Sequence, residues 1–237
     1  MIDRNSILPE QRLIVPLDVP EIDQAKAMVE SLGSNVVFYK IGLELFMSRG
    51  FFELLDWLRN KEKLVFVDLK FFDIPATVAR AVSRLNGTGV TFTTVHGNDS
   101  MMAAAAEAAK DVSVLAVTVL TSIDRGDLND LGFQCNVDEL VMSRARRAVE
   151  HGCAGVVASG QEAKPLRDAL SDRLLIVSPG IRPLDNRGDD QKRVVTVEQA
   201  FDYGADYIVV GRPIRDAENP AQAAAEIQKQ IKDSVQS

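Results

Sequence analysis

The chain has 237 residues, and 46% of them are hydrophobic, which is enough for one substantial core and suits a single α/β barrel. The net charge of −7 and isoelectric point of about 5.0 argue against general binding to nucleic acid or anionic membranes, although a local basic pocket could still bind a small anion. No apolar run approaches the roughly 20 residues that span a bilayer, and the first residues lack a signal pattern, so we expect a cytoplasmic protein.

Short apolar runs alternate with longer helical stretches along the whole chain. Several of these runs are apolar almost throughout, as in 112–119, which is typical of parallel strands buried on both faces. Eight strand–helix repeats without a long linker predict one (β/α)8 barrel, a TIM barrel, as a single domain over 1–237, with a doubly wound open sheet as the alternative. The predicted strands are 12–18, 35–41, 63–69, 90–96, 112–119, 154–158, 173–178 and 206–210.

Two of the intervening helices have clear boundaries in the sequence. Asp99 or Ser100 could cap an alanine-rich helix that runs through Lys110. A second helix is predicted over 138–151, because its apolar residues recur on one face and Gly152 follows its end.

The most informative segment is 68–78, DLKFFDIPATV, into which an apolar strand runs directly. Since strand side chains alternate between faces, Asp68 and Lys70 should point the same way. Asp73 follows in the loop, just before Pro75 can begin a helix, and its simplest role is that of an N-cap. Three charges of alternating sign at the end of a buried strand are costly unless they are paired or used.

Charged residues end the first four predicted strands. Strand one ends at Asp18, strand two at Lys40 and strand four at His96, while strand three supplies Asp68 and Lys70. In barrels of this kind the chemistry lies at the carboxyl ends of the strands. A single charge there could simply reach solvent, but charges from three adjacent strands predict one shared rim formed by Asp18, Lys40, Asp68 and Lys70.

Two glycine–arginine pairs follow the last two strands. Gly180 and Arg182 come after strand seven, and Gly211 and Arg212 come after strand eight. Glycines let backbone N–H groups approach a ligand closely, and the guanidinium fork suits phosphate oxygens. Since barrels often bind phosphate between these two loops, we predict a phosphate site there. By composition alone, the polar stretch 183–193 is typical of a solvated surface loop.

Segment 68–77, with its pattern Asp-x-Lys-x-x-Asp-Ile-Pro-x-Thr, resembles the signature of the orotidine 5′-phosphate decarboxylase family. The resemblance extends from Asp18 to Arg212 in the expected order. It implies a (β/α)8 enzyme that converts orotidine 5′-phosphate to UMP and CO2 in de novo pyrimidine biosynthesis, without a cofactor. Lys70 would then stabilise the carbanion left at C6 and protonate it.

The resemblance also implies roles for the other charged residues. Lys40 and Asp68 would hold each other and contact the ribose, and Asp18 would bind a ribose hydroxyl. Asp68 and Asp73 would flank Lys70 and favour its charged form. The residues implied to reach into the site of a partner subunit, and so to make the enzyme a homodimer, are Asp73, Ile74 and Thr77.

Further contacts to the phosphate and the base are implied by the resemblance alone. The stretch 183–193 would be a lid, in which Gln191 contacts the phosphate. Arg182 would lie at the base of this lid. Gly211 and Arg212 would belong to the same phosphate site. The residue implied to contact the pyrimidine ring after strand five is Thr121, with Ser122 as the alternative.

The sequence contains none of the common motifs for metal or cofactor binding. The sequence has no Walker loop, dinucleotide fingerprint or zinc-ligand pattern. His96 and His151 cannot build a metal cluster by themselves, and His151 is more simply a helix-end residue that complements the dipole. Cys135 and Cys153 lack metal-like spacing and predict free thiols in a reducing compartment. A site without metal or cofactor is the simplest prediction.

Two other functions remain open from the sequence. A sugar-phosphate decarboxylase of the same suprafamily, such as a 3-keto-gulonate-6-phosphate decarboxylase, would share Asp-x-Lys-x-x-Asp but would use a magnesium ion and an enediolate. A non-catalytic barrel that binds a phosphorylated metabolite belongs to another class of protein. The catalytic set is complete in this chain, which argues against that third function.

Overall fold

The computed structural model describes residues 4–182 and 194–235, and its centre is a closed barrel of eight parallel strands. The strands are β1 Leu13–Pro16, β2 Phe38–Ile41, β3 Leu64–Phe71, β4 Phe92–His96, β5 Ser113–Val117, β6 Gly155–Val157, β7 Leu175–Ser178 and β8 Tyr207–Val209. Neighbours pair in chain order, and β8 pairs with β1 to close the barrel. The predicted (β/α)8 barrel is therefore confirmed, and the open-sheet alternative is wrong.

Helices connect the strands and cover the outside of the barrel. Within the described residues they are α1 Ile22–Leu32, α2 Leu43–Phe46, α3 Phe51–Asn60, α4 Pro75–Ser83, α5 Asp99–Ala108, α6 Arg125–Asp130, α7 Val137–Glu150, α8 Gly160–Leu170, α9 Val197–Asp202, α10 Arg212–Arg215 and α11 Pro220–Val235. None of the helices in the described ranges combines the length and apolar character needed to cross a bilayer.

Aromatic rings fill the inside of the barrel. The ring centroids of Phe38 and Phe92 are 5.4 Å apart, and Phe92 meets Tyr207 edge to face at 5.2 Å. The next residue along β2, Tyr39, is buried in the other apolar layer, between the strands and the helices. Because both faces of each strand are buried, almost every residue is apolar, which explains the continuous apolar runs in the sequence.

A buried ion network closes the amino-terminal end of the barrel. Asp206, just before β8, is fully buried and accepts from Arg4 Nε at 2.8 Å and from Arg167 Nη2 at 2.7 Å. The backbone N–H of Ile176 also donates to its carboxylate at 2.8 Å. Arg12 donates to the main-chain oxygen of Asp206 at 3.1 Å. These bonds tie the start of the chain to β7, β8 and α8.

Both N-caps predicted for the alanine-rich helix are too late, Asp99 by one residue and Ser100 by two. Asn98 is the extended residue before the helix, with φ −100° and ψ 130°, so Asp99 and Ser100 are already helical. The Asp99 carboxylate instead accepts from Arg147 Nη1 at 3.2 Å. The helix ends at Ala108, before Lys110.

The helix predicted over 138–151 is confirmed as α7 with a small shift of its ends. Asn136 caps it, because its side chain accepts from the backbone N–H of Glu139 at 2.8 Å, and Glu139 accepts from the N–H of Asn136 at 2.9 Å. His151 occupies the C-cap position, and Gly152 follows with φ 77°.

Candidate active site at the carboxyl ends of the strands

Four charged side chains of alternating sign meet at the carboxyl ends of three adjacent strands. Lys40 Nζ lies 3.3 Å from Asp18 Oδ1 and 3.7 Å from Asp68 Oδ2. Lys70 Nζ lies 2.9 Å from the same Asp68 oxygen. The array Asp18–Lys40–Asp68–Lys70 is therefore continuous, as expected for the shared rim.

A β-bulge, rather than simple alternation, brings Asp68 and Lys70 together. In the pairing of β3 with β4, Val67 faces Thr93 and Phe71 faces Val95, so four steps along β3 match two along β4. Lys70 lies within this bulge and has φ 49°, a left-handed conformation that lysine rarely adopts. The bulge redirects the Lys70 side chain toward the Asp68 carboxylate.

Thr94 of β4 holds the bulge and was missed by the sequence analysis. Its hydroxyl accepts from the backbone N–H of Lys70 at 2.9 Å and donates to Asp68 Oδ1 at 2.9 Å. The only signal in the sequence is a polar residue inside a buried strand, and Thr93 beside it gives the same signal.

The charges around Asp68 set its ionisation. Burial raises the pKa of the Asp68 carboxyl, but the charges of Lys40 and Lys70, with hydrogen bonds from Lys70 and Thr94, outweigh burial and lower the pKa below its usual value. The carboxylate is therefore ionised at neutral pH. Burial, together with the nearby charges of Arg144 and Lys70, lowers the pKa of His96, so its imidazole is neutral at pH 7.

Asp73 lies outside the four-charge array, and its predicted N-cap role needs correction. Ile74 occupies the N-cap position, because Pro75 begins α4 and keeps the residue before it extended. The Asp73 carboxylate accepts from the backbone N–H of Ile74 at 2.6 Å. Phe72 and Ile74 are 64% and 66% exposed, and Thr77 lies in the first turn of α4.

The two glycine–arginine loops border one cleft of about 340 Å³. Gly180 has φ 80°, which favours glycine, and a Cβ at Gly211 would lie 3.0 Å from a ring carbon of Pro16. Arg182 is buried, and Arg212 begins α10. The lining residues are Pro16, Asp18, Lys40, Pro179, Gly180, Ile181, Arg182, Val209, Gly211, Arg212 and Arg215.

The cleft and the charged array are parts of one site, because Asp18 and Lys40 belong to both. Arg215, which the sequence analysis did not select, also lines the cleft. Its guanidinium donates to the main-chain oxygen of Asp18 at 3.4 Å and is paired with Asp216 at 2.7 Å. A second arginine three residues after Arg212 was the available signal.

The remaining predicted site residues are Thr121, with Ser122 as its alternative, and Gln191. Thr121 is partly buried in the loop between β5 and α6, whereas Ser122 is exposed. Gln191 and the whole of 183–193 lie outside the described residues. Within residues 4–182 and 194–235, no group of three or more histidine, cysteine, aspartate or glutamate side chains could hold a metal ion.

A (β/α)8 barrel with charged side chains and an arginine-lined cleft at the carboxyl ends of its strands defines a class of protein. Active sites of barrel enzymes lie at this end, and phosphate groups are often held by the loops after strands seven and eight. The arrangement is typical of a barrel enzyme with its active site at this end.

Comparison with known proteins gives the family within that class. Residues 11–227 match the model of the Orotidine 5′-phosphate decarboxylase / HUMPS family, and the chain belongs to this family. It is 63% identical to the orotidine 5′-phosphate decarboxylase of Methylococcus capsulatus over 94% of this chain and 92% of that protein. It is 54% identical to that of Xanthomonas euvesicatoria, again over 94% and 92%.

A solved structure gives the same result. The crystal structure of orotidine 5′-phosphate decarboxylase from Lactobacillus acidophilus superposes with a TM-score of 0.83 at 34% identity. The match covers 93% of this chain and 99% of that one. The family resemblance predicted from segment 68–77 is therefore confirmed.

Proposed function

We propose that this chain is a carboxy-lyase that removes CO2 from C6 of orotidine 5′-phosphate and forms UMP in pyrimidine biosynthesis. The observation that carries the proposal is the Asp18–Lys40–Asp68–Lys70 array, which shares two residues with the arginine-lined cleft. The similarity to decarboxylases of the same name over nearly the whole chain supports it. We propose further that residues 1–237 form one barrel domain.

The reaction explains why such an array is needed. When the bond from C6 to the carboxylate breaks, its electron pair stays on C6 in an orbital orthogonal to the π system of the ring, so delocalisation is poor. A fixed ammonium at Lys70 can stabilise this pair and then give it a proton, forming the C6–H bond of UMP. Lys70 afterwards recovers its proton from solvent.

The remaining groups bind and orient the substrate. Asp68 holds Lys70 in place by their 2.9 Å contact, and Lys40 and Asp18 would contact the ribose. The phosphate would lie in the cleft against Gly211 and Arg212. Binding energy from that remote phosphate can support closure and strain at the reacting carbon.

A homodimer would complete the site. Asp73, Ile74 and Thr77 would reach into the site of the partner subunit, and the partner's copies would reach into this one. The exposure of Asp73, its position outside the array, and the 66% exposure of Ile74 support a role across a subunit contact. Phe72 adds another exposed apolar side chain to this loop.

Thr121 is proposed to contact the pyrimidine ring, since it is less exposed than Ser122. A lid over 183–193 is proposed to close on the phosphate, with Gln191 contacting it and Arg182 at its base. Cys135 and Cys153 are both free thiols, which is typical of a reducing compartment and supports a cytoplasmic location.

A metal-dependent sugar-phosphate decarboxylase is the second candidate. One observation keeps this alternative open. The description of the family names a second group, HUMPS, besides orotidine 5′-phosphate decarboxylase, so membership of the family alone does not identify the substrate. The deciding experiment mixes EDTA-treated protein with orotidine 5′-phosphate, follows absorbance, and identifies UMP by chromatography. We expect full conversion without metal. A folded protein that leaves orotidine 5′-phosphate unchanged, and gains activity on a sugar phosphate with magnesium, would contradict the proposal.

A further inference from the structure

One hydroxyl group connects both members of the central ion pair. Thr94 is fully buried on β4, and its Oγ1 accepts from the backbone N–H of Lys70 and donates to Asp68 Oδ1, each at 2.9 Å. The other oxygen of Asp68 accepts from Lys70 Nζ at 2.9 Å. Thr94, Asp68 and Lys70 thus form a closed ring of three hydrogen bonds.

Lys70 needs such support because of its backbone. A left-handed conformation places the Cβ of an L residue too close to its own carbonyl oxygen, and it persists only where the surroundings hold it. Lys70 has φ 49° within the β3 bulge, where the regular pairing with β4 is interrupted. The bond from its N–H to Thr94 anchors the bulge to β4 at that interruption.

Asp68 is held from two sides. With one oxygen bonded to Thr94 and the other to Lys70, the plane of its carboxylate is fixed. Without the hydroxyl, Oδ1 would lose its only hydrogen-bond donor among the described residues, and the carboxylate could rotate away from the Lys70 ammonium. The position of Nζ therefore depends on Thr94 through both the backbone and the carboxylate.

We propose that Thr94 is a positioning residue, whose single hydroxyl holds the left-handed Lys70 and the Asp68 carboxylate so that the ammonium points at the reacting carbon. This inference rests on the proposed function, since it assigns Lys70 as the proton donor. Thr94 itself does not contact the substrate and acts only through Lys70 and Asp68.

The neighbouring residue provides a matched control. Thr93 is also fully buried on β4, but its hydroxyl has no hydrogen-bond partner among the described residues. Thr93→Val therefore replaces a buried hydroxyl by a methyl of the same shape without removing a bond. Thr94→Val makes the same chemical change and removes two hydrogen bonds, one to Lys70 and one to Asp68. Thr94→Ser keeps the hydroxyl.

The experiment measures kcat, KM and UMP affinity of the wild-type protein and these three variants, with crystal structures of wild type and Thr94→Val. We expect Thr94→Val to lower kcat by about tenfold to 100-fold, since a displacement of about 1 Å in a site can cost about 10²-fold. UMP affinity should stay near the wild-type value, because the arginine-lined cleft is unchanged. Thr94→Ser should restore most of kcat, and Thr93→Val should match wild type.

Several results would overturn the positioning role. One is a crystal structure of Thr94→Val in which Lys70 keeps its left-handed backbone and its contact with Asp68. Another is an unchanged kcat, or an equal loss in Thr94→Ser or Thr93→Val, which would indicate general damage to the core.

Should Thr94→Val fail to fold, Thr94→Cys, with its weaker donor and acceptor, takes its place in the same comparison. An inactive wild-type protein would instead contradict the proposed function, whereas the crystal structures test the geometry independently of activity.

Discussion

The two ends of the barrel carry similar charged residues but arrange them in opposite ways. At the amino-terminal end, Asp206 is fully buried, and three N–H donors within 2.8 Å fill both of its oxygens. At the carboxyl end, Asp18 is 48% exposed and Lys70 31% exposed, and Lys40 lies 3.3 and 3.7 Å from its two partners. One network is closed, whereas the other is open to a ligand.

The comparison indicates that contacts that stabilise the fold lie at one end of the barrel and the candidate catalytic groups at the other. Every polar atom of the Asp206 carboxylate is satisfied by the protein, so that network can only hold the fold together. The carboxyl end contains a left-handed lysine and borders an arginine-lined cleft. Backbone strain of this kind is typical of functional sites. Changes at the carboxyl end should therefore reduce activity, and changes at the amino end should reduce stability.

The largest expected effect is that of Lys70→Ala. We expect kcat to fall by about 10⁴-fold or more, because electrostatic stabilisation and proton transfer each contribute about 10²-fold or more. The variant should remain folded by circular dichroism. Lys229→Ala, at an exposed position of α11, serves as the control and should keep full activity. Substantial decarboxylation by Lys70→Ala would remove Lys70 as the acid.

At the amino-terminal end, we expect Asp206→Ala to lower stability and to leave the activity of the folded protein unchanged. Losing one partner of a buried ion pair leaves the other charge uncompensated and costs about 3–5 kcal/mol. Arg167, which is only 13% exposed, would lose its buried partner and keep only the 65% exposed Asp172, 3.6 Å away. Denaturant unfolding should show this loss, while kcat of the folded fraction stays unchanged.

Asp172→Ala is the matched control for that change. Asp172 pairs with the same Arg4 at 2.7 Å but is 65% exposed, so the loss should be below about 1 kcal/mol. If Asp206→Ala lowered kcat as strongly as it lowered stability, the division between the two ends would be wrong.

A smaller effect is expected for Arg212→Ala, in the cleft. A hydrogen bond to a charged group contributes about 1.5–3 kcal/mol, so UMP binding should weaken by about tenfold to 150-fold. Binding of uridine, which lacks the phosphate, should hardly change in the same calorimetric titrations. Arg146→Ala, at an exposed position of α7, is the control. Equal weakening of UMP and uridine would contradict a phosphate role for Arg212.

The two ends also differ in how far the sequence predicts them. Asp18, Lys40, Asp68 and Lys70 could be placed on one rim because strand ends are visible as local patterns, and parallel strands share their carboxyl edge. The contact of Arg4 with Asp206 could not be predicted, since 202 residues separate them. Nothing local marks either residue as a partner of the other.

The bulge in β3 was missed for a related physical reason. Strand alternation predicts Asp68 and Lys70 on one face, but their observed contact depends on the bulge and on the register between β3 and β4. That register is set by contacts between strands about 25 residues apart, such as the bond from Lys70 to Thr94. Two adjacent threonines, Thr93 and Thr94, are equivalent as sequence, and only the pairing of the strands distinguishes them.

The smallest expected effect tests the strain at Lys70 directly. Lys70→Gly and Lys70→Ala both remove the ammonium, so both should be inactive. The difference between their free energies of unfolding then measures the cost of the left-handed backbone conformation. We expect the glycine variant to be more stable by roughly 1 kcal/mol in urea unfolding, because the left-handed conformation is costly for alanine even after the greater freedom of unfolded glycine is included. At Lys229, inside α11, the same pair should show the opposite sign, with glycine less stable by about 1 kcal/mol. An alanine variant as stable as the glycine variant at position 70 would mean that the bulge stores no strain, and that the carboxyl end of the barrel is as relaxed as the amino end.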